Sequence, residues 1–231
     1  FNVIIIDNNS NDDTSELLTE YHCQHILAKL RQTKQGKNAA LNLIFEGDVA
    51  LGELLIFSDD DVIFPEDFVK RYLELIIEQP EISIFGGAVI PHWPNEVPHK
   101  ILGGIDAVVA FAITPATAGY QTGLIDPVKL HGPNMAIRSN VFAQGIRFNE
   151  NIGPNGGNYM MGSETELLYR LKNTGYQAFY HQELKVQHII RPEQLSRNWI
   201  CSLYTSDRAD ELSQLHSLAS HPAFTLLPCL T

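Results

Sequence analysis

The chain has 231 residues, 44% of them apolar and 19% charged, with a formal net charge of −11. That composition belongs to a soluble globular chain with a substantial core and excludes a disordered one. The acidic balance excludes nucleic acid as a general partner, which would require clustered Lys and Arg, but it leaves room for a local nucleotide site.

Cys23, Cys201 and Cys229 are odd in number and far apart. This pattern points to free thiols in a reducing, cytoplasmic setting and to no metal cluster. The residues present show no signal-peptide pattern and no apolar run of membrane-spanning length. The most apolar stretch, Ile101–Ile113, is interrupted by Asp106. It leaves peripheral association with the inner face of a membrane open.

Asn2–Ile6 reads as a buried strand, and the Asn-, Asp- and Ser-dense turn after Asp7 offers helix caps for Thr14–Tyr21. His25–Lys29 is a second strand, and Lys37–Glu46 a helix with Ala39, Ala40 and Leu43 on one side. Leu54–Asp61, LLIFSDDD, is a strand running into three acids. The strand–helix alternation predicts an α/β, doubly wound, mainly parallel sheet with helices on both faces. A helix from Pro65 to Glu78 follows, with Leu73, Ile76 and Ile77 toward the sheet, then the strand Ile82–Ile90 with Gly86 and Gly87 inside it.

Pro91–His99 is irregular and holds Trp93, and Lys100–Gly123 reads as a helix and a loop. NMAIRS is a strand and Ser139–Gly145 a short helix, with a Gly- and Asn-rich loop over Asn151–Met161. Ser163–Thr174 is an amphipathic helix with Leu167, Leu168 and Leu171 on one face. Gln177–His181 and Lys185–Ile190 form a final pair of strands. No repeat or linker divides residues 1–231, so one domain is expected. Within it, 1–90 would form a nucleotide-binding half, 91–190 an acceptor and catalytic half, and 191–231 a tail. Phe1 already lies in a strand pattern, and the native protein is expected to extend further at its N-terminus.

Chemistry-bearing residues fall at element ends. Asp59, Asp60 and Asp61 either cap the following helix or hold a divalent cation and phosphates, since Mg²⁺ and Mn²⁺ prefer hard oxygen ligands. Asp7 either caps its turn or binds a ligand. Glu164 is a helix-dipole acid or a catalytic one. His188, in an apolar strand, is a packed histidine or a ligand.

In their order and spacing these residues resemble the inverting family 2 glycosyltransferases of the GT-A nucleotide-diphosphosugar fold. The resemblance rests on VIIIDNNSNDDT, KQGKNAALN, IFSDDDV, HGPNMAIRSNVF and GSETELLYRLKNTGY, which together reach from Asn2 to about Pro192. It implies transfer of a sugar from a nucleotide-diphosphosugar to a glycan or lipid-linked acceptor, with Mg²⁺ or Mn²⁺ as cofactor. Asp7, Asn9, Lys37, Asp59 and Asp60 would lie at the nucleotide-sugar, and Asp61, Asp59 and His188 at the metal. Gly132, Asn134, Arg138 and Trp93 would lie on the acceptor side, and Glu164 would be the general base.

Two departures stand out. Ser163-Glu164 replaces the family's Glu-Asp pair, which leaves Glu166 as the base if the register slips. The family's first strand is absent. A strand ending in D-x-D-V also resembles haloacid-dehalogenase-type phosphatases, and a noncatalytic sugar-nucleotide or glycan-binding module is a third reading.

Overall fold

The computed structural model describes residues 1–94, 107–153, 162–196 and 198–200. Two parallel strands, β1 (Val3–Asp7) and β2 (Ile26–Arg31), flank helix α1 (Thr14–Glu20). Helix α2 (Lys37–Leu43) leads to β3 (Leu54–Phe57), and the acidic turn leads to the short β4 (Val62–Ile63). Next come α3 (Phe68–Glu78), β5 (Ile84–His92), α4 (Ala107–Phe111), β6 (Gly123–Ile125), β7 (Met135–Arg138) and α5 (Ser139–Ala143). Helix α6 (Ser163–Asn173) and the long β8 (Ala178–Ile189) follow, and short 3-10 turns, the last at Pro192–Leu195, link the elements.

The α/β layering is as the sequence implies, and within it the main sheet is mixed. Its order is β3-β7-β5-β8-β4, with β6 on β8. β3 and β5 point the same way, but β7 lies between them and antiparallel to both. Alternating strands and helices set the relative direction of β3 and β5. They do not say which later segment enters the space between them. β8 is parallel to β5, while β4 and β6 are antiparallel to β8. Among the described residues, β1 pairs only with β2, and β3 only with β7.

Alternating side chains divide the interior into two layers. Ile84 of β5, with Met135 and Ile137 of β7, packs under Leu167, Leu168 and Leu171 of α6. Phe85 and Ala136, the alternate residues, meet Phe68, Tyr72 and Leu75 of α3 and Phe111 of α4 on the other face. Helices therefore cover both faces. The buried face of α3 corrects the expected one: Leu73 and Ile77 are exposed, and Phe68, Tyr72 and Leu75 sit at the i, i+4, i+7 spacing that faces the sheet. Ala110, Phe111 and Ile113, from the most apolar stretch, are also core residues; residues 101–106 lie outside the described set.

The two strands expected over 177–190 are one strand. Its ladder to β5 shifts register between Gly87 and Ala88, which face His181 and Lys185, so 182–184 bulge out. Gly87 serves this bulge, because any Cβ there would collide with the Leu184 carbonyl. The paired glycines thus admit a backbone rather than a ligand.

Asn134, expected on the acceptor side, is instead fully buried. Its amide donates to the carbonyls of Ala88 (3.0 Å) and Leu184 (2.8 Å), and its Oδ1 accepts from the Tyr72 hydroxyl at 2.9 Å. Burial pushes the Tyr72 hydroxyl's pKa up, so it stays a donor. Tyr72→Phe would strand the Asn134 oxygen without a donor. Its expected cost is about 1–2 kcal/mol, read as a lower urea midpoint at unchanged slope.

Candidate active site

The site begins where β3 ends. Past Phe57 the chain turns through Ser58–Asp61, and the Ser58 hydroxyl donates to the Pro133 carbonyl at 3.1 Å. That bond ties the acidic turn to the segment entering β7. Lys37, the first residue of α2, places its Nζ 2.6 Å from Asp59 Oδ1 and 2.6 Å from Glu164 Oε1. Glu164 stands in the first turn of α6, where the positive helix end favours a carboxylate. Three elements remote in sequence thus meet through one cation.

Burial alone would raise the pKa of Glu164, but the nearby Lys37 ammonium outweighs it and holds the carboxyl below its ordinary value. Burial likewise works against the Lys37 charge, yet Glu164 and Asp59 together raise its pKa well above the ordinary one. Lys37 and Glu164 are therefore both charged at neutral pH. His131 lies near Glu164; its burial dominates and lowers its pKa, favouring neutral imidazole.

The same α2 helix holds the chain that leads to α6. The Asn38 amide donates to the carbonyls of Asn149 (2.7 Å) and Ile152 (2.8 Å), and its Oδ1 accepts from the Ser163 hydroxyl. One turn on, Asn42 exchanges two bonds with the Phe148 backbone, both 2.9 Å. Gly132 packs directly beneath Glu164, and a Cβ there would overlap the carboxylate. Glu166 points elsewhere and grips Arg170 through a fork of 2.6 and 3.0 Å. Glu164, not Glu166, therefore faces the acids. A depression of about 490 Å³ near Arg147, Glu166 and Arg170 holds none of Asp59, Asp61 or Glu164.

A second pair stands at Asp61. Its Oδ1 is buried without an aligned hydrogen-bond donor, and His188 Nε2 is 3.2 Å away. His188 Nδ1 lies 2.7 Å from the Phe111 carbonyl. That carbonyl can only accept, so Nδ1 carries a proton, and Nε2 is the nitrogen left to face Asp61. Ala112, with φ 48°, closes α4 in the left-handed region and sets the chain direction just after Phe111.

With the imidazole neutral, Nε2 and the Asp61 oxygen would be two acceptors face to face, which need a cation between them. Without a metal, a proton fills that place: burial lowers the His188 pKa, but Asp61 raises it further. The orphaned oxygen and the backbone-oriented imidazole also fit a divalent cation. Among the described residues, no three His, Cys, Asp or Glu side chains form a complete cage. A carboxylate and an imidazole suit an ion that takes its remaining ligands from phosphate and water. Asp59, expected at the metal, is engaged by Lys37 instead. Arg191, which the sequence reading passed over, places Nη2 3.3 Å from Asp61 Oδ2.

The other expected site residues divide clearly. Asp7 holds its own turn, accepting from the Ser10 amide at 2.9 Å and the Ser15 hydroxyl at 2.6 Å. Asn9 is at the tip of that turn with φ 58°. Its neighbour Asn8, absent from the expected set, joins the turn to the Lys34 carbonyl and the Gly36 amide, both at 2.8 Å. Asp60 is exposed.

Arg138 does not belong on an acceptor side. It pairs with Leu54, while Met135 pairs with Phe57 at the acidic end, so it sits about 10 Å along the strand from that end. Its guanidinium donates to the carbonyls of Ile82 and Ile76 (2.7 and 2.8 Å) and pairs with Glu53. Trp93 is half-buried and packs edge-on against Phe111 at 5.4 Å.

Solved structures share this architecture. A mannosyltransferase, PcManGT from Pyrobaculum calidifontis in complex with GDP-Man and Mn²⁺, matches with a TM-score of 0.59 at 17% identity, over 96% of this chain and 56% of that one. TarS 1-349 from S. aureus in complex with UDP-GlcNAc matches with a TM-score of 0.60 at 14% identity, over 87% of this chain and 55% of that one. GalNAc-T7 with UDP, GalNAc and Mn²⁺ gives a TM-score of 0.56 at 17% identity, over 87% of this chain and 41% of that one.

The fold is thus that of the GT-A glycosyltransferases. The model of glycosyl transferase family 2 matches residues 1–145, and the chain belongs to that family. A curated relative, the glucosyl-dolichyl phosphate glucuronosyltransferase of Haloferax volcanii, is 20% identical over 160 residues, 66% of this chain and 48% of the relative. The chain spans about half the length of that relative.

Asp7 supplies a test of its turn-holding work. Its hydrogen bonds from Ser10 and Ser15 lower its pKa from 3.8 to about 2. A lowered folded-state pKa adds stability above the ordinary value, which is lost as pH falls through the folded one. Asp7→Ala should cost about 1–2 kcal/mol at neutral pH. Its denaturation midpoint should also fall less steeply than that of the wild type as pH drops from about 4 toward about 2.

Proposed function

We propose that the protein is a metal-dependent inverting glycosyltransferase, moving a sugar from a nucleotide-diphosphosugar to an acceptor hydroxyl in cell-surface polysaccharide or glycolipid synthesis. The observation that carries this reading is the convergence of Asp59 and Glu164 on Lys37, beside the Asp61–His188 pair. Mn²⁺ in two of the similar structures supports a divalent ion, and the dolichyl phosphate in the relative's name supports a lipid-linked acceptor. Among the described residues no helix is long and apolar enough to cross a membrane. A lipid-linked acceptor would then be met at a membrane surface.

Asp61 and His188 would hold Mg²⁺ or Mn²⁺, which when bound neutralises charge developing on the departing diphosphate. Asp59 and Lys37 line the donor side between that pair and the base. Glu164 takes the proton of the acceptor hydroxyl while the hydroxyl oxygen bonds to the anomeric carbon. The bond from that carbon to the diphosphate oxygen breaks on the opposite side, which inverts configuration. Gly132 leaves the space in which the Glu164 carboxylate sits, and Asn38 fixes the start of its helix through Ser163.

The test is nucleoside diphosphate release with Mn²⁺ and a panel of UDP-, GDP- and TDP-sugars, with and without acceptor. Glu164→Gln should lower release by about 10²–10⁴-fold without loss of donor binding. Asp61→Asn should remove the response to Mn²⁺. Inorganic phosphate from simple phosphomonoesters would instead indicate a phosphatase. Gly132→Ala should fold, because the colliding group is the end of a flexible side chain, and should slow release by about tenfold or more through displacement of the base.

A further inference from the structure

The Lys37 ammonium does two things that conflict with a working base. It is shared between Glu164 and Asp59, and it occupies Glu164 Oε1 at 2.6 Å. An acceptor hydroxyl approaching that oxygen meets a cation in its place. Lys37 is held only by the two carboxylates among its described ion pairs, and its side chain retains 29% exposure, so it can pivot without unfolding α2. Asn38 and Asn42 anchor α2 independently of it.

We propose that Lys37 is a positioning residue that couples donor binding to release of the base. In the empty site it parks Glu164 against Asp59. When a nucleoside diphosphate enters beside Asp61 and His188, its phosphates offer a denser negative charge, and Lys37 moves from Glu164 to them. Glu164 is then free for the acceptor. The base is thereby withheld from chance hydroxyls, water included, until the donor is seated. The inference rests on the transferase reading.

The test measures binding, not turnover. Wild type, Glu164→Gln, Lys37→Met and the double variant are titrated calorimetrically with UDP, GDP or TDP, whichever the wild type binds, at saturating Mn²⁺. Glu164→Gln removes the charge from which Lys37 must be drawn, so nucleotide affinity should rise by about fivefold to tenfold, and that gain should vanish in the Lys37→Met background. An equal gain in both backgrounds would show a plain field effect and overturn the proposal. Lys37→Gln replaces Lys37→Met if the latter does not fold.

A crystal structure of the wild type with Mg²⁺ and the nucleotide judges the same point without substitution. Lys37 Nζ should lie on a phosphate oxygen and beyond about 4 Å from Glu164. A retained Lys37–Glu164 contact would overturn the proposal. Binding of no nucleotide diphosphate by the wild type would overturn the transferase reading itself, which keeps the two failures separate.

Discussion

Carboxylates gathered at one edge of a sheet repel one another unless a cation stands among them. Lys37 is that cation. Asp59 comes from the turn after β3, Glu164 from the start of α6 and Lys37 from the start of α2, so electrostatics joins three parts of the chain that no secondary structure joins. Each member is less than one-third exposed. Solvent screens the group only in part, and an unpaired charge there would cost on the order of a few kcal/mol. The arrangement of the remaining polar residues serves to keep these three elements in reach of one another.

Asparagine does most of that service. Asn38, Asn42 and Asn134 each use amide and carbonyl ends at once, binding backbone that lies about 50 residues or more away in sequence. A side chain with both a donor and an acceptor can hold irregular backbone that strands and helices leave unpaired. The one Lys and two Asn of KNAALN thus divide the work: Lys37 faces the acids, Asn38 and Asn42 hold the approach to α6, and Ala39 and Ala40 pack against the core.

The local pattern made several elements legible. Apolar runs and turn residues located β1, α2, β3, α6 and β7 closely, because each obeys one period over its whole length. Helix α6 is readable in register, and Arg170, four residues on, engages Glu166 and turns it from the acidic cluster. Polar residues in buried settings are the ones a local pattern does not place. Asn134 and Arg138 share a motif with Gly132, yet one knits the core and the other staples the far end of β7. A buried amide and a binding-site amide look alike in sequence, since both are polar residues beside apolar ones. An aromatic ring in an irregular stretch, such as Trp93, is equally open to packing and stacking as far as the sequence shows.

The sequence by itself determined the α/β class, the ends of the elements that carry acids, and the candidacy of Asp59, Asp61, Glu164 and His188, because these follow from periodicity and residue chemistry within short windows. The tertiary structure alone decided that β7 enters antiparallel between β3 and β5, that Lys37 faces both Asp59 and Glu164, and that His188, held at Nδ1 by the Phe111 carbonyl, turns Nε2 to Asp61. These are contacts between segments tens to more than a hundred residues apart. No local propensity encodes them. They arise when the core closes and the charges brought to its edge must find partners.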